Sequence, residues 1–195
     1  MNHKKPIYII EHLEPKLFEW CLIEYEHISE IVGKENLWFT NIRKDSDARK
    51  LKKFGRVFKN PVMDFKLKGA CILDPEAVKV LSPKDSGKFE YYIFGGILGD
   101  YPPKKRTKKE LTRFLKDVDE RHIGDEQMST DNAVFSVKQI IENGKKFSDL
   151  KYQDKISVKI NEFESVDLPY RYNVVKGKLL MSPKIVKYLK NKKGF

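Results

Sequence analysis

Four short runs of the chain, residues 7–10, 37–40, 70–73 and 91–97, are continuously apolar and rich in β-branched and aromatic residues. A strand with one face in water alternates, whereas a strand covered on both faces does not. The runs therefore predict buried strands of a parallel sheet. Between several of them the apolar positions recur with the period of a helix. Residues 17–32 carry the clearest such pattern, closed by Gly33. Residues 45–54, closed by Gly55, predict a second helix, and residues 107–116 a third. Ser129, Thr130 and Asp131 offer caps for a fourth, running to Asn143 and stopped by Gly144. Strand alternating with helix gives an α/β fold on a parallel sheet.

The pattern changes near residue 155. Ile156, Val158 and Ile160 alternate with polar residues like a strand, and residues 172–175 and 178–181 flank Lys176-Gly177 as a hairpin. Ser182-Pro183 opens a helix carrying lysines 184, 187, 190, 192 and 193 and no acid. This divides the chain into an α/β core over 1–150 and a small β/α extension over 151–195, a strand, hairpin and basic helix packed on the same domain. There is no internal repeat.

A length of 195 residues suits one domain, and 40% hydrophobic with 12% aromatic residues argues against disorder despite 34% charged residues. Cys21 and Cys71 sit in apolar surroundings and read as reduced core residues of a cytoplasmic protein. No secretory leader is expected, because after Lys4-Lys5-Pro6 only residues 7–10 are apolar before Glu11. No run approaches the ~18 apolar residues of a membrane span, so no membrane partner is expected. The net charge of +11 is uneven. Residues 1–30 hold three lysines against six glutamates, a net of −3, leaving +14 for the rest. The basic body suits an anionic partner such as RNA or a ribosome, and the acidic segment suits a cation.

Candidate chemistry gathers where strands end. Phe94-Gly-Gly-Ile-Leu-Gly-Asp-Tyr-Pro-Pro103 follows a predicted buried strand with three glycines in five positions. Glycine permits positive φ or close approach of backbone to a ligand, and proline stiffens the exit. The order Gly95-Gly96-x-x-Gly99 matches neither a Walker loop nor a dinucleotide fingerprint. A second loop, residues 121–133, turns at Gly124 and presents Asp125, Gln127, Ser129, Thr130 and Asp131 ahead of a helix. Leu73-Asp74-Pro75 follows another predicted strand. In open α/β sheets ligands bind at such carboxyl ends. Glu24 falls in the middle of the apolar stripe formed by Leu17, Trp20, Cys21, Ile28, Ile31 and Val32, where a carboxylate must be paired, protonated or functional. Glu11-His12 leaves the first strand as a further acidic candidate. The four histidines and two cysteines have no zinc spacing, and no nucleophile elbow is present. A bound cofactor that brings its own reactive group fits better than a hydrolytic triad or a metal.

At these residues the chain resembles the SPOUT methyltransferases, in the branch typified by a yeast arginine methyltransferase that modifies a small-subunit ribosomal protein. The resemblance rests on Ile9-Ile-Glu-His12, Glu19-Trp20 with Glu24-Tyr25, Leu73-Asp-Pro75, Phe94-Gly-Gly-Ile-Leu-Gly-Asp100 with Pro102-Pro103 and Arg106-Thr107, Gly124-Asp125 with Gln127-Met128, Thr130-Asp131, and Pro169-Tyr-Arg-Tyr172. The region after Asn41 is short for the branch, and the C-terminal tail is basic and abbreviated. The resemblance implies a parallel-sheet SPOUT fold with a deep trefoil knot in its C-terminal part. It also implies S-adenosylmethionine (SAM) held by Leu73, Asp74 and Pro75, by Gly95, Gly96, Ile97, Leu98, Gly99 and Asp100, and by Ile123, Gly124, Gln127, Met128, Thr130, Asp131 and Ala133. For transfer to a guanidinium, carboxylates must orient the acceptor and manage its proton. Glu11, Glu24 and Asp100 are the candidates, with Glu11, His12, Glu24 and Tyr170 on the substrate side. The expected partner is a ribosomal protein or ribosomal particle, met as a monomer rather than a homodimer, with RNA contact through the basic surface. An RNA methyltransferase and a non-catalytic ribosome-binding module are the competing readings.

Overall fold

The computed structural model describes residues 5–191. Six strands form one parallel sheet: β1 (Ile7–His12), β2 (Leu37–Thr40), β3 (Arg56–Val57), β4 (Ala70–Leu73), β5 (Tyr91–Gly96) and β6 (Asp119–Arg121), in the order β3-β2-β1-β5-β4-β6. The chain runs outward from β1 through β2 to β3, then continues on the other side of β1, where β5 lies beside it. That reversal opens a crevice at the carboxyl edge, where ligands of open α/β sheets bind.

Both faces are covered, as uninterrupted apolar strands require. One face packs Tyr8, Ile10, Tyr92 and Phe94 against α1 (Glu19–Val32) and α4 (Thr130–Ile141). The other packs Ile9, Ile72 and Ile93 against Val62 and Leu111. Strand alternation sorts neighbouring side chains to opposite faces, so Glu11 shares the side of Ile9 while His12 shares that of Ile10. A third cluster joins Trp20 and Ile23 of α1 to the antiparallel sheet β7 (Tyr152–Lys159), β8 (Ser165–Val175) and β9 (Lys178–Leu179), and to α5 (Pro183–Asn191).

Several elements differ from the sequence reading. The second helix, α2, ends early and covers Asp45–Leu51. The third breaks into α3 (Arg106–Glu110) and a 3₁₀ turn over Thr112–Phe114, because Leu111 is drawn into the core and the Thr112 hydroxyl donates to buried Asp74. β3 is a two-residue edge strand with no apolar run to announce it. β8 is far longer than its expected half of a hairpin, and it holds Pro169 at an irregularity in its pairing with β7, where Lys155 takes φ 53°. Residues 180 and 181 leave the expected strand. Lys192 and Lys193 lie outside the described residues. Cys21 and Cys71 are free and buried, and burial pushes both thiols up to about 12. No helix among the described residues is long and apolar enough to cross a membrane.

Candidate active site

The loops after β4, β5 and β6 converge on one cleft at the carboxyl edge of the sheet. Its wall is formed by Leu73, Asp74 and Pro75; by Phe94, Gly95, Ile97, Gly99 and Asp100; by Ile123, Gly124, Gln127 and Met128; and by Thr130 and Ala133 of α4. The two loops singled out in the sequence touch directly. The Gln127 amide donates to the Asp100 carbonyl at 3.2 Å, and the Tyr170 hydroxyl of β8 donates to the Gly99 carbonyl at 2.9 Å. The cleft has a volume of about 160 Å³, well above the ~10–15 Å³ that one buried water needs.

The glycines serve close approach. Gly95, Gly96 and Gly99 all lack positive φ. A Cβ on Gly99 would stand 2.5 Å from Gln127 Nε2 and from Tyr170 Cε1, and one on Gly96 would collide with the Tyr25 hydroxyl. Of the glycines in these loops, only Gly124, at φ 90°, uses the left-handed region, turning the chain into the second loop. Gly99→Ala must therefore push Gln127 and Tyr170 apart and open the cleft. S-adenosylhomocysteine (SAH) affinity should fall at least tenfold in a calorimetric titration; unchanged affinity would remove this packing from cofactor binding.

Asp74, Glu14 and Arg106 hold the loops in place. The Asp74 carboxylate accepts from the Glu76 amide and the Thr112 hydroxyl, fixing the turn after β4. Glu14 accepts from the Leu98 amide at 2.9 Å and from Arg106 at 2.8 Å, while Arg106 also grips Glu110. Leu98 thus joins the loop through its backbone and is absent from the wall. Gly96 lies beneath the wall against Tyr25. Phe94, Pro103, Lys104, Lys105, Arg106 and Thr107 line the cleft although they lie outside the three loops expected to hold the cofactor, and Asp125 and Glu126 line it from within the third. Their common signal is proximity to the glycine and polar loops.

The proposed acceptor carboxylates separate. Glu11 does not reach the cleft. It is buried on the far face of β1, where it accepts from the Thr40 hydroxyl and the Val62 amide and ties β1 to β2. Burial raises its pKa against the pull of those bonds. His12 also lies outside the cleft and pairs through Nδ1 with the Tyr25 hydroxyl. Asp100 is at the cleft rim, paired with Lys104 at 2.9 Å. Glu24 is 6% exposed and lies directly behind the cleft wall, taking the Trp20 indole N–H at 2.8 Å. Burial and the Asp131 charge push its pKa up to about 8, against the pull of the Trp20 N–H and of the nearby Thr130 hydroxyl and amide. Asp131 turns its carboxylate away from the cleft, toward the Ser129 hydroxyl and His27 Nδ1 at 2.7 Å. Burial pulls the His27 pKa down, but the bond and charge of Asp131 outweigh it and raise it. Ser129 takes the N-cap position of α4, yet its hydroxyl donates to Asp131 rather than capping.

Thr130 is the joint of this arrangement: it lines the cleft and contacts Glu24. Tyr170 completes it, because it bonds to Gly99 and lies in the fields of Glu24 and Asp100, which raise its pKa after burial. A buried carboxylate such as Glu24 beside a ligand cleft can receive a planar cation bidentately. No cluster of metal-ligating residues occurs among the described residues.

Comparison with known proteins gives the arrangement its relatives. The protein arginine N-methyltransferase SFM1 of Saccharomyces cerevisiae is 38% identical over 180 residues, covering 85% of this chain and 84% of that protein. A crystal structure of the yeast arginine methyltransferase SFM1 complexed with SAM superposes at TM-score 0.87 with 36% identity, covering 97% of this chain and 92% of that one. The dual-specific Trm10 of Thermococcus kodakaraensis, 21% identical over 74% of this chain and 96% of that one, shares the fold at TM-score 0.60. The family described as "Protein arginine N-methyltransferase SFM1-like" matches residues 7–194. The chain belongs to the SFM1-like protein arginine N-methyltransferase family.

Proposed function

We propose that this protein transfers a methyl group from SAM to an arginine of a small-subunit ribosomal protein, acting as a cytoplasmic monomer whose C-terminal part is knotted. The observation that carries the reading is the buried Glu24 carboxylate, placed behind the cleft wall beside Thr130 and backed by the Asp131–His27 pair. The cleft suits the cofactor. Leu73, Ile97, Ile123, Met128 and Ala133 give apolar walls for a base, and the backbone around Gly99 approaches closely enough to leave no room for a Cβ. Lys105 at the rim suits the carboxylate of the amino-acid end. When bound, the cofactor supplies an electrophilic methyl carbon. The chain supplies position, exclusion of water and charge.

An arginine nitrogen forms its new bond to carbon as the carbon–sulfur bond breaks, and the sulfur keeps the electron pair. The methylated guanidinium must then release one proton. Glu24 holds the cation and orients the attacking nitrogen, while Asp131 behind it adds negative charge, and His27, bonded to Asp131 and only partly exposed, offers the proton a way out. Of the six acids in the N-terminal segment, Glu24 alone combines burial with this position. Glu11 is consumed within the core, Glu14 holds Arg106, and Glu26 pairs with Lys184 of α5. Incubation with labelled SAM and ribosomal extract tests the reading. Label that survives ribonuclease, is lost to protease and resides in arginine supports it, whereas label lost to ribonuclease would overturn it in favour of RNA.

A further inference from the structure

We propose that a second cavity, at the carboxyl ends of β1 and β2, binds one nucleotide of single-stranded RNA. The cavity is about 580 Å³ and lies between His12 and Lys16 of the first loop, Arg43 and Lys44 of the second, and Arg113 with Phe114 beyond α3. This volume is within the range of small-molecule sites. Its occupancy does not depend on methyl transfer, because the cavity is separate from the cleft.

Beneath the floor lies a buried histidine. His12 is 6% exposed, and its Nδ1 lies 2.8 Å from the Tyr25 hydroxyl. Burial pulls the imidazole pKa down and holds the ring neutral. The phenol has no other hydrogen-bonding partner among the described residues, so it donates to Nδ1, and the ring proton resides on Nε2. That Nε2 has no hydrogen-bond partner. The Lys16 carbonyl is near enough to work against the fall in pKa, as are the charges of Glu14 and Asp47, but it does not reach hydrogen-bond geometry. His12 Nε2 is also shielded from solvent, so it lies beneath the cavity floor and reports on the cavity's occupancy rather than meeting a ligand directly.

The walls say what kind of ligand. Arg43, Lys44, Lys109 and Arg113 among the lining residues favour an anion, and the acids among them are already engaged. Glu14 and Glu110 both bind Arg106, and Asp47 faces Lys50 at 3.9 Å. At the rim, Phe114 is 45% exposed with the Arg113 guanidinium 4.5 Å from its ring centroid, a flat face and a cation of the kind on which bases stack. Phosphate alone would leave the phenyl face unused, and a duplex keeps its bases stacked away from it. An unpaired nucleotide uses the cations and the ring together. Arg106 lines the cofactor cleft while its partners Glu14 and Glu110 line this cavity, so the two sites share one wall.

Fluorescence anisotropy with a labelled twelve-nucleotide oligouridine and the full chain tests this. Binding should weaken with salt, with a log–log slope of about −0.7 per phosphate contacted. Phe114→Ala, and separately Lys109→Ala with Arg113→Ala, should each weaken binding at least fivefold. Lys187→Ala with Lys190→Ala, on the exposed face of α5, should change it less than twofold. In long-range proton–nitrogen spectra the His12 Nε2 resonance should shift on adding the oligonucleotide. Equal losses from the α5 lysines, an indifferent Phe114→Ala, a stationary His12 signal, or displacement of the oligonucleotide by a phosphoserine peptide would each overturn the assignment.

Discussion

Glu24→Gln is expected to cut kcat/KM for the arginine acceptor at least a hundredfold while raising the melting temperature at pH 8. The two effects have one cause. Glutamine keeps the size of the side chain and the oxygen that accepts the Trp20 N–H, and it removes the charge. Losing one partner of a buried, hydrogen-bonded charge pair costs roughly 2–5 kcal/mol, so the penalty on binding and orienting a guanidinium is large. SAH affinity should remain within twofold, since Glu24 lies behind the cleft wall and not in it.

Stability moves the other way. The folded-state pKa of Glu24, about 8, is above the ordinary value of 4.5 expected when unfolded. Between those values the folded state binds the extra proton, so stability falls as pH rises through that window. Glutamine has no proton to lose. The variant should therefore match the parent near pH 4 and melt about 5 °C higher at pH 8. The same titration predicts that the parent's KM for acceptor falls as pH rises toward 8, because the carboxylate form receives the cation, and that this dependence is absent in the variant. A variant with parental turnover, or one less stable at pH 8, would remove Glu24 from the acceptor site.

The parts of the site legible in the sequence are those written locally. Glycines spaced across residues 95–99, and a polar loop running into α4, carry their signal in consecutive residues, and both line the cleft. The glycine chemistry was legible only as a choice between positive φ and close approach, which the packing of Gln127 and Tyr170 decides. Glu24 was legible because a carboxylate in an apolar helical stripe needs an explanation. Glu11 misled for the opposite reason: a strand buried on both faces shows no alternation, so nothing in residues 7–12 says which side Glu11 faces. Pairings between distant segments left no trace at all. Glu14 meets Leu98 across 84 residues and Arg106 across 92. β8 concealed itself differently. Val166, Leu168, Tyr170 and Tyr172 do alternate, but Pro169 argues against a strand until the irregular pairing with β7 accommodates it.

The largest loss of stability is expected from Asn132→Ala, a residue with no apolar signal and no part in the cleft. Asn132 is fully buried, and its side chain joins three segments. Its amide nitrogen donates to the Leu180 carbonyl at 3.1 Å and the Ser129 hydroxyl at 2.9 Å, and its oxygen accepts from the Asn173 backbone amide at 2.8 Å. Asn173 returns a bond to the Asn132 carbonyl at 3.0 Å and accepts from Ser136 at 3.1 Å. Alanine would leave the buried Asn173 amide and the part-buried Leu180 carbonyl without their partner, and each buried group left unpaired costs about 1–3 kcal/mol. A loss of roughly 3–5 kcal/mol in denaturant unfolding should follow from the two together. The effect should extend to the cleft, because the strand that Asn132 anchors also holds the second loop: the Arg171 amide of β8 donates to the Gln127 carbonyl at 2.8 Å, and Tyr170 reaches Gly99. SAH affinity should therefore fall about tenfold under conditions where the variant remains folded. An unfolding loss below about 1 kcal/mol would show that the network bears little of the fold's stability. A large loss with unaltered SAH affinity would instead separate the anchoring of β8 from the shape of the cleft, and place the order of the second loop in α4 alone.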